Sequence, residues 1–195
     1  MKQQLDSEIL TAIDEFARYG IEHPQIQYVA SGKSGDVYQF GGEVAIKIFK
    51  QDSKYTKDPL ILNDLSHIDG YPKLYSYIPN QYMVMEFVKG KTIYDIEGRE
   101  NYLLKDYRSA IANIISETNA RGIYPKDLHL NNIMIDERGK LYIVDVGRFT
   151  YKKPEKLLTH SLWWSSSSSS GFWSSWSSSW SSSWSNSWSY SSSSW

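Results

Sequence analysis

The sequence predicts an α+β fold in which a five-stranded antiparallel sheet precedes a short, mainly helical region. Three observations support this prediction. Short β-type runs with turn residues between them fill residues 25–88, an apolar helical pattern covers about residues 102–120, and charged residues stop before residue 161. We therefore expect four regions, namely an N-terminal amphipathic helix in 1–24, the sheet in 25–88, the helical region in 89–160 and a separate tail in 161–195.

The first region has the pattern of a single amphipathic helix. Apolar side chains recur at helical spacing through residues 5–17. Gly20 follows them, and glycine is the residue that most often ends a helix in the left-handed conformation. We therefore expect one helix that ends near Gly20.

Five strands and one short helix are expected in residues 25–88. Gly41-Gly42, between the second and third β-type runs, favours a tight hairpin. Asp58-Pro59 then opens a short helix through about His67, and two further strands lie on either side of Pro79-Asn80. The expected strands are about 25–31, 36–40, 43–50, 73–78 and 81–87.

A long helix and a hairpin then bring three polar groups together. The helical pattern of residues 102–120 leads into a loop that carries Asp127. Asn132 begins one apolar strand and Asp145 closes the next, so a hairpin through residues 137–140 would place these two side by side. A carboxylate that accepts a proton, with an amide and a second carboxylate that offer oxygens to Mg²⁺, is the equipment of phosphoryl transfer.

These three residues and their segments resemble the catalytic loop and metal-binding turn of the protein-kinase-like superfamily. Upstream, residues 28–38 resemble its glycine-rich phosphate loop, Val44-Ala45-Ile46-Lys47 its lysine strand, and residues 82–90 its hinge behind the adenine. The resemblance covers about residues 25–150. The short second lobe is similar to that of compact prokaryotic serine/threonine protein kinases. It implies a bilobal fold with a five-stranded antiparallel N-lobe and a strongly shortened helical C-lobe.

The resemblance also implies a role for each matched residue. Asp127 would be the catalytic base, and Lys47 would contact the α- and β-phosphates of ATP. Asn132 and Asp145 would bind Mg²⁺. The residues expected to bind ATP together with Lys47 are Gly32, Ser34, Gly35, Val37, Ala45 and Glu86.

Two positions leave alternatives open. Asp58 stands where the family has the helix glutamate that pairs with the lysine, but before Pro59 it also has the pattern of a helix N-cap, which the sequence favours. His129 stands where protein kinases more often have Lys. An Asp-Leu-His sequence is similar to the aminoglycoside and choline kinase branch, which phosphorylates small molecules.

Composition restricts the compartment and the partners. The net charge of −1 gives no electrostatic reason to expect binding to nucleic acid or to an anionic membrane surface. The chain has no cysteine, which excludes disulfides and thiolate metal sites. The start has no signal-peptide pattern, and no stretch approaches the roughly 20 apolar residues of a membrane span. We therefore expect a cytoplasmic protein without a membrane span.

The tail, residues 161–195, differs from the rest of the chain. It has no charged residue and contains all eight tryptophans, mostly among serines. We expect a disordered, low-complexity or non-native segment outside the catalytic unit. The alternative is an aromatic face for contact with carbohydrate or a membrane interface.

The leading functional prediction is an ATP- and Mg²⁺-dependent phosphotransferase that acts on serine and threonine hydroxyls of a protein not identified by the sequence. A small-molecule kinase is the alternative that His129 supports. A nucleotide-binding pseudokinase is a third, supported by Asp58, by Ala30 in place of the first loop glycine and by the short second lobe. A surface-interaction protein that acts through the tail is a fourth.

Overall fold

The first helix lies where the sequence predicts it. The computed structural model of the protein describes residues 5–51, 57–97, 104–126 and 128–155. Helix α1 spans Ser7–Tyr19, and the side chain of Asp6 caps it by accepting a hydrogen bond from the backbone N–H of Glu8 (3.0 Å). Gly20 ends it in the left-handed conformation with φ 70°, as expected.

A five-stranded antiparallel sheet follows, which confirms the predicted α+β fold and its N-lobe. Its strands are β1 (Ile26–Ser31), β2 (Gly35–Phe40), β3 (Val44–Phe49), β4 (Leu74–Ile78) and β5 (Tyr82–Glu86). They lie in the order β1-β2-β3-β5-β4. Gly41 and Gly42 have positive φ (57° and 73°), as a tight hairpin between β2 and β3 requires. Helix α2 covers Asp58–Asp64 and ends earlier than the predicted His67.

The second part of the described chain is short. It contains β6 (Gly90–Thr92), α3 (Ile93–Glu97), α4 (Leu104–Ala120), a 3-10 turn (Leu130–Asn132), β7 (Ile133–Asp136) and β8 (Leu141–Ile143). Strands β6, β7 and β8 form an antiparallel sheet in that order. The β7–β8 hairpin was predicted, whereas β6 and α3 were not. The predicted tail lies outside the described residues, and the four region bounds stay predictions.

The two faces of the large sheet pack against different parts of the protein. On the outer face, Ile13 of α1 is fully buried against side chains from β2, β3 and β5: Phe40, Val44, Ile46, Tyr82 and Val84. On the inner face, alternate residues such as Ala45 and Met83 join a core that continues through α2, α4, β7 and β8. Lys47 shares the face of Ala45, so the strand presents one cation towards this inner side.

The loop between α2 and β4 connects the two parts. The backbone N–H of Ile143 in β8 donates to the carbonyl oxygen of Gly70 (2.8 Å). The hydroxyl oxygens of Tyr71 and Thr118, the latter in α4, are 2.7 Å apart and buried. The inner core is therefore continuous across both parts. In the described part of the chain, no helix is long and apolar enough to cross a membrane.

Candidate active site

A buried ion pair joins β3 to α2. The side chain of Lys47 is on the inner face of β3, and the residue is only 6% exposed. Its ammonium donates a hydrogen bond to Oδ2 of Asp58, which is 1% exposed. The sequence favoured a helix N-cap at Asp58, and that interpretation is wrong.

Asp58 lies inside helix α2 and not at its N-cap. Helix α2 begins with Lys57 as its N-cap, and no side chain caps it. Asp58 is therefore the first residue inside the helix, and its carboxylate lies under the sheet beside a buried ammonium. A buried carboxylate and ammonium strongly favour each other, because neither has water to solvate it. Asp58 therefore takes the place of the helix glutamate, one methylene shorter.

A second carboxylate approaches the same ammonium from the turn after β8. Oδ1 of Asp145 lies 3.7 Å from Nζ of Lys47, and the side chain is 41% exposed. The backbone N–H of Gly147 donates to the same oxygen (3.1 Å). Lys47 therefore bridges one buried carboxylate on α2 and one solvent-accessible carboxylate on the turn.

The charges in this cluster shift one another's pKa values. Burial alone would lower the pKa of Lys47, but Asp145 and Asp58 together raise it above its usual value. Burial favours a higher pKa for Asp145, yet Lys47, the Gly147 N–H and His129 hold it below its usual value. For Asp58, burial outweighs the attraction of Lys47 and raises the pKa. At neutral pH, Lys47 is therefore charged and Asp145 is ionised.

Helix α2 and the turn after β8 are in direct contact at Gly147. A Cβ atom on Gly147 would lie 2.4 Å from Oδ1 of Asp58. This oxygen is buried and has no hydrogen-bond partner among the described residues. A larger residue at position 147 would push against the Asp58 carboxylate, so the close approach of α2 to this turn depends on Gly147.

The β7–β8 hairpin places Asn132 beside the Asp145 turn. The backbone N–H of Val144 donates to the carbonyl oxygen of Asn132 (2.9 Å), and Ile133 pairs with Ile143. The two predicted metal ligands therefore lie at the same end of the hairpin. The described residues contain no cluster of three or more His, Cys, Asp or Glu side chains that could hold a metal. One carboxylate and one amide fit Mg²⁺, which commonly completes its coordination with phosphate oxygens and water.

The glycine-rich loop is a tight turn between β1 and β2. The backbone N–H of Gly32 donates to the carbonyl oxygen of Gly35 (2.8 Å). A Cβ on Gly35 would lie only 2.2 Å from the carbonyl oxygen of Ile48, so this glycine is required by the close approach of β2 to β3. Val37 pairs with Lys47 across β2 and β3, and Ala45 is buried in the inner core.

Of two other predicted site residues, Glu86 is hydrogen-bonded within the protein and Asp127 is outside the described residues. The carboxylate of Glu86 accepts hydrogen bonds from the backbone N–H of Lys73 (3.1 Å) and the hydroxyl of Tyr142 (3.3 Å). Its side chain is therefore used within the protein, which leaves its backbone for any contact with a base. Asp127 lies outside the described residues, between Lys126 and Leu128.

Lys50, which the sequence did not single out, contacts the glycine-rich loop. Its ammonium donates to the carbonyl oxygen of Gly32 (2.8 Å) and to Oγ of Ser31 (2.9 Å). The only sequence signal was its position three residues after Lys47, at the end of the same strand. A lysine at the end of a strand is common, so sequence alone did not indicate this contact.

Comparison with known proteins identifies a family for the chain. Residues 60–167 match the model of the ABC1 atypical kinase-like domain. The match includes Asn132 and Asp145, whereas Lys47 and the glycine-rich loop precede it. It covers more than half of the chain.

Several curated proteins are similar to the chain. "Putative serine/threonine-protein kinase YrzF" of Bacillus subtilis (strain 168) is 27% identical over 134 residues, which cover 66% of this chain and 62% of that protein. "Sperm motility kinase 2B" of Mus musculus is 27% identical over 128 residues, 60% of this chain and 26% of that protein. "MAP kinase kinase kinase wis4" of Schizosaccharomyces pombe is 26% identical over 167 residues, 75% of this chain and 12% of that protein. The matched part of the chain spans less than two thirds of the length of each of these relatives. Because the family model matches more than half of the chain, the chain belongs to the ABC1 atypical kinase-like family, within the protein-kinase-like superfamily.

Proposed function

We propose that the protein is an ATP- and Mg²⁺-dependent phosphotransferase that transfers the γ-phosphoryl group to serine or threonine hydroxyls of a protein. One observation carries the proposal: the Lys47 ammonium is held between the carboxylates of Asp58 and Asp145. This arrangement fixes a charged lysine and an ionised, accessible carboxylate at one point between the large sheet and the β7–β8 hairpin. The family match and the kinase names of the relatives support the same activity.

Each residue has a chemical task in this reaction. Lys47 would bind the α- and β-phosphate oxygens, with Asp58 holding its ammonium in place. Bound Mg²⁺ supplies positive charge that compensates the phosphate oxygens, and Asp145 and Asn132 would hold it. Asp127 would accept the proton of the attacking hydroxyl while the new oxygen–phosphorus bond forms and the bond to the β,γ-bridging oxygen breaks. ADP leaves with the electron pair of that bond.

A second acceptor class has its own support. His129 is close enough to Asp145 for its charge to lower the pKa of that carboxyl. The support for the small-molecule kinase alternative is the Asp-Leu-His sequence in which this histidine stands. The pseudokinase alternative, in contrast, loses one of its reasons, because Lys47 does have a carboxylate partner in Asp58.

Phosphoryl transfer is tested with γ-labelled ATP and Mg²⁺, first on the protein itself and on a protein mixture, then on metabolite hydroxyls. We expect Asp127→Asn to lose about 10²- to 10⁴-fold of transfer while nucleotide binding persists. Asp145→Asn should weaken both transfer and binding, because it removes a carboxylate oxygen from the metal site. The matched control is Asp69→Asn, which removes an exposed carboxylate that pairs with Lys140 on the surface.

Nucleotide binding is measured separately by melting. A ligand that binds only the folded state stabilises it by about 2.7 kcal/mol at a hundredfold excess over Kd. Wild type should therefore melt at a higher temperature with Mg·ATP, and Asp145→Asn should show a smaller shift than Asp69→Asn. No shift at millimolar nucleotide, together with no labelled product, contradicts the proposed function.

A further inference from the structure

The glycine-rich loop is held in place by Lys50. The Lys50 ammonium donates to the carbonyl oxygen of Gly32 (2.8 Å) and to Oγ of Ser31 (2.9 Å). It also lies 3.6 Å from Oδ1 of Asp36, which accepts a hydrogen bond from Ser31 Oγ (2.5 Å). One side chain at the end of β3 therefore contacts the loop and both strands that flank it.

The backbone of Lys50 makes a second connection to the loop. Its N–H donates to the carbonyl oxygen of Ser34 (3.1 Å). The carbonyl groups of Gly32 and Ser34 both point towards Lys50 as a result. In a planar trans peptide, the N–H of the next residue points opposite to the carbonyl. The N–H of Lys33 is therefore directed away from the Lys50 ammonium. The Ser34 carbonyl belongs to the pairing of β2 with β3, so the Gly35 N–H lies in the plane of the sheet.

Lys50 acts from the outer face of the sheet, opposite Lys47. Asp36 pairs directly with Ser31 on one side and with Ile48 on the other. Directly paired residues share a face, and Ile48 packs in the outer cluster with α1. Ser31, Asp36 and Lys50 are therefore on the outer face, whereas Lys47 is on the inner face. The Gly32 carbonyl points to the Lys50 ammonium on the outer face, so the Lys33 N–H is directed towards the side of Lys47.

We propose that Lys50 is a positioning residue that holds the glycine-rich loop, with the Lys33 amide directed towards the phosphates of a bound nucleotide. This inference rests on the proposed function and extends it to a residue outside the inner cluster. The side chains of Lys50 and Asp36 are 44% and 36% exposed. Exposed ion pairs contribute little to folding. The loss of Lys50 should therefore weaken nucleotide binding without unfolding the protein.

The test compares Lys50→Met, Lys50→Arg and the control Lys73→Met in the full chain. Lys73→Met removes the same charge from an exposed position just before β4, at the other edge of the sheet. Titration calorimetry with Mg·ATP should show binding about tenfold weaker for Lys50→Met, because charge-assisted hydrogen bonds that order the loop are lost. KM for ATP should rise by the same factor while kcat changes less than about twofold, since chemistry occurs on the inner face. Lys50→Arg should recover most of the affinity, and Lys73→Met should match wild type.

Amide hydrogen exchange without nucleotide separates positioning from a simple charge effect. Exchange at Lys33 and Gly35 should be faster in Lys50→Met but not in Lys73→Met. Unchanged exchange, or unchanged Mg·ATP affinity, in Lys50→Met overturns the inference and leaves the proposed function intact. Failure of wild type to bind Mg·ATP overturns the proposed function, and the inference with it. Should Lys50→Met not fold, Ser31→Ala removes one acceptor of the ammonium and is held to the same criteria, with a smaller expected effect.

Discussion

At the scale of single residues, Gly147 is a sharp steric test of the candidate site. Its φ is not positive, so alanine there is opposed by the contact with Asp58 and not by the backbone. We expect Gly147→Ala to lower the free energy of unfolding by about 1–3 kcal/mol, the usual effect of overpacking. Denaturant unfolding measures this change. In the background of Asp58→Ala the contact is absent, so Gly147→Ala should have a clearly smaller effect; equal effects in both backgrounds contradict the contact.

Tyr71 gives a prediction about alkaline pH. Burial raises the pKa of its hydroxyl, and the hydrogen bond with Thr118 offsets this only in part. Because the folded-state pKa lies above the unfolded value of about 10, the stability from a neutral Tyr71 is present below about pH 10 and is lost as pH rises. Tyr71→Phe should lower the free energy of unfolding at pH 7 by about 0.5–1.5 kcal/mol. It should also flatten the fall in stability above about pH 10.

The control for this prediction is Tyr19→Phe, at the exposed end of α1. This variant should keep both the neutral stability of wild type and its fall at high pH. Denaturant midpoints at several pH values give the comparison. If Tyr71→Phe follows the wild-type curve, Tyr71 does not hold its proton against alkaline pH in the folded protein.

The partner of Lys47 could not be chosen from sequence. Asp58 before Pro59 satisfies a helix N-cap pattern and the expected pair with Lys47 equally well in one dimension. The choice depends on whether helix α2 begins before or at Asp58, and on the burial of that point under β3. Both follow from tertiary packing, which local sequence does not carry. The proximity of the other two candidate ligands, Asn132 and Asp145, could be predicted, because the spacing of a hairpin brings its two ends together.

At the scale of secondary-structure elements, α1 supports the strand that carries Lys47. Ile13 is fully buried against the outer face of the sheet, next to Ile46 of β3. Ile13→Ala should therefore lower the free energy of unfolding by about 2–5 kcal/mol, as usual for a buried aliphatic side chain. Ile21→Ala, at an exposed position after the same helix, should change it by less than about 0.5 kcal/mol. Similar losses for both variants would show that α1 does not pack on the sheet in solution.

Most elements could be predicted because their periodicity is long enough to recognise. The five strands of the large sheet, α1, α4 and the β7–β8 hairpin all have apolar patterns bounded by turn residues. Strand β6 and helix α3 have three and five residues, too few for any period to show. Helix α2 ends before His67 because the chain enters tight turns at Leu65 that bury Leu65 and Ile68. Such burial again depends on the fold.

At the scale of the whole molecule, α4 shows why a short second lobe does not need further helices packed against its outer side. One side of this helix, with Ile111 and Ile115, is buried in the inner core. The residues exposed on its other side are small or polar: Ser109, Ala110, Asn113, Ser116, Glu117 and Ala120. A face of this composition does not need a further apolar layer. The described part of the second lobe is therefore compatible with water on this side of α4.

This polar face leads to the last prediction, that the catalytic unit ends near His160. After His160 the sequence has no Asp, Glu, His, Lys, Arg or Cys, so the tail offers no proton acceptor or charged metal ligand to the reaction. A chain of residues 1–160 should fold, keep its stabilisation by Mg·ATP and be more soluble, because eight tryptophans in an uncharged segment are removed. The chain of residues 1–167 is the matched comparison, since the family match extends to residue 167. Melting with and without Mg·ATP distinguishes the outcomes. If Mg·ATP stabilises the 1–167 chain but not the 1–160 chain, residues 161–167 are needed and the catalytic unit ends near residue 167. Loss of folding in both chains, while the full chain folds and binds, shows that the tail belongs to the working structure.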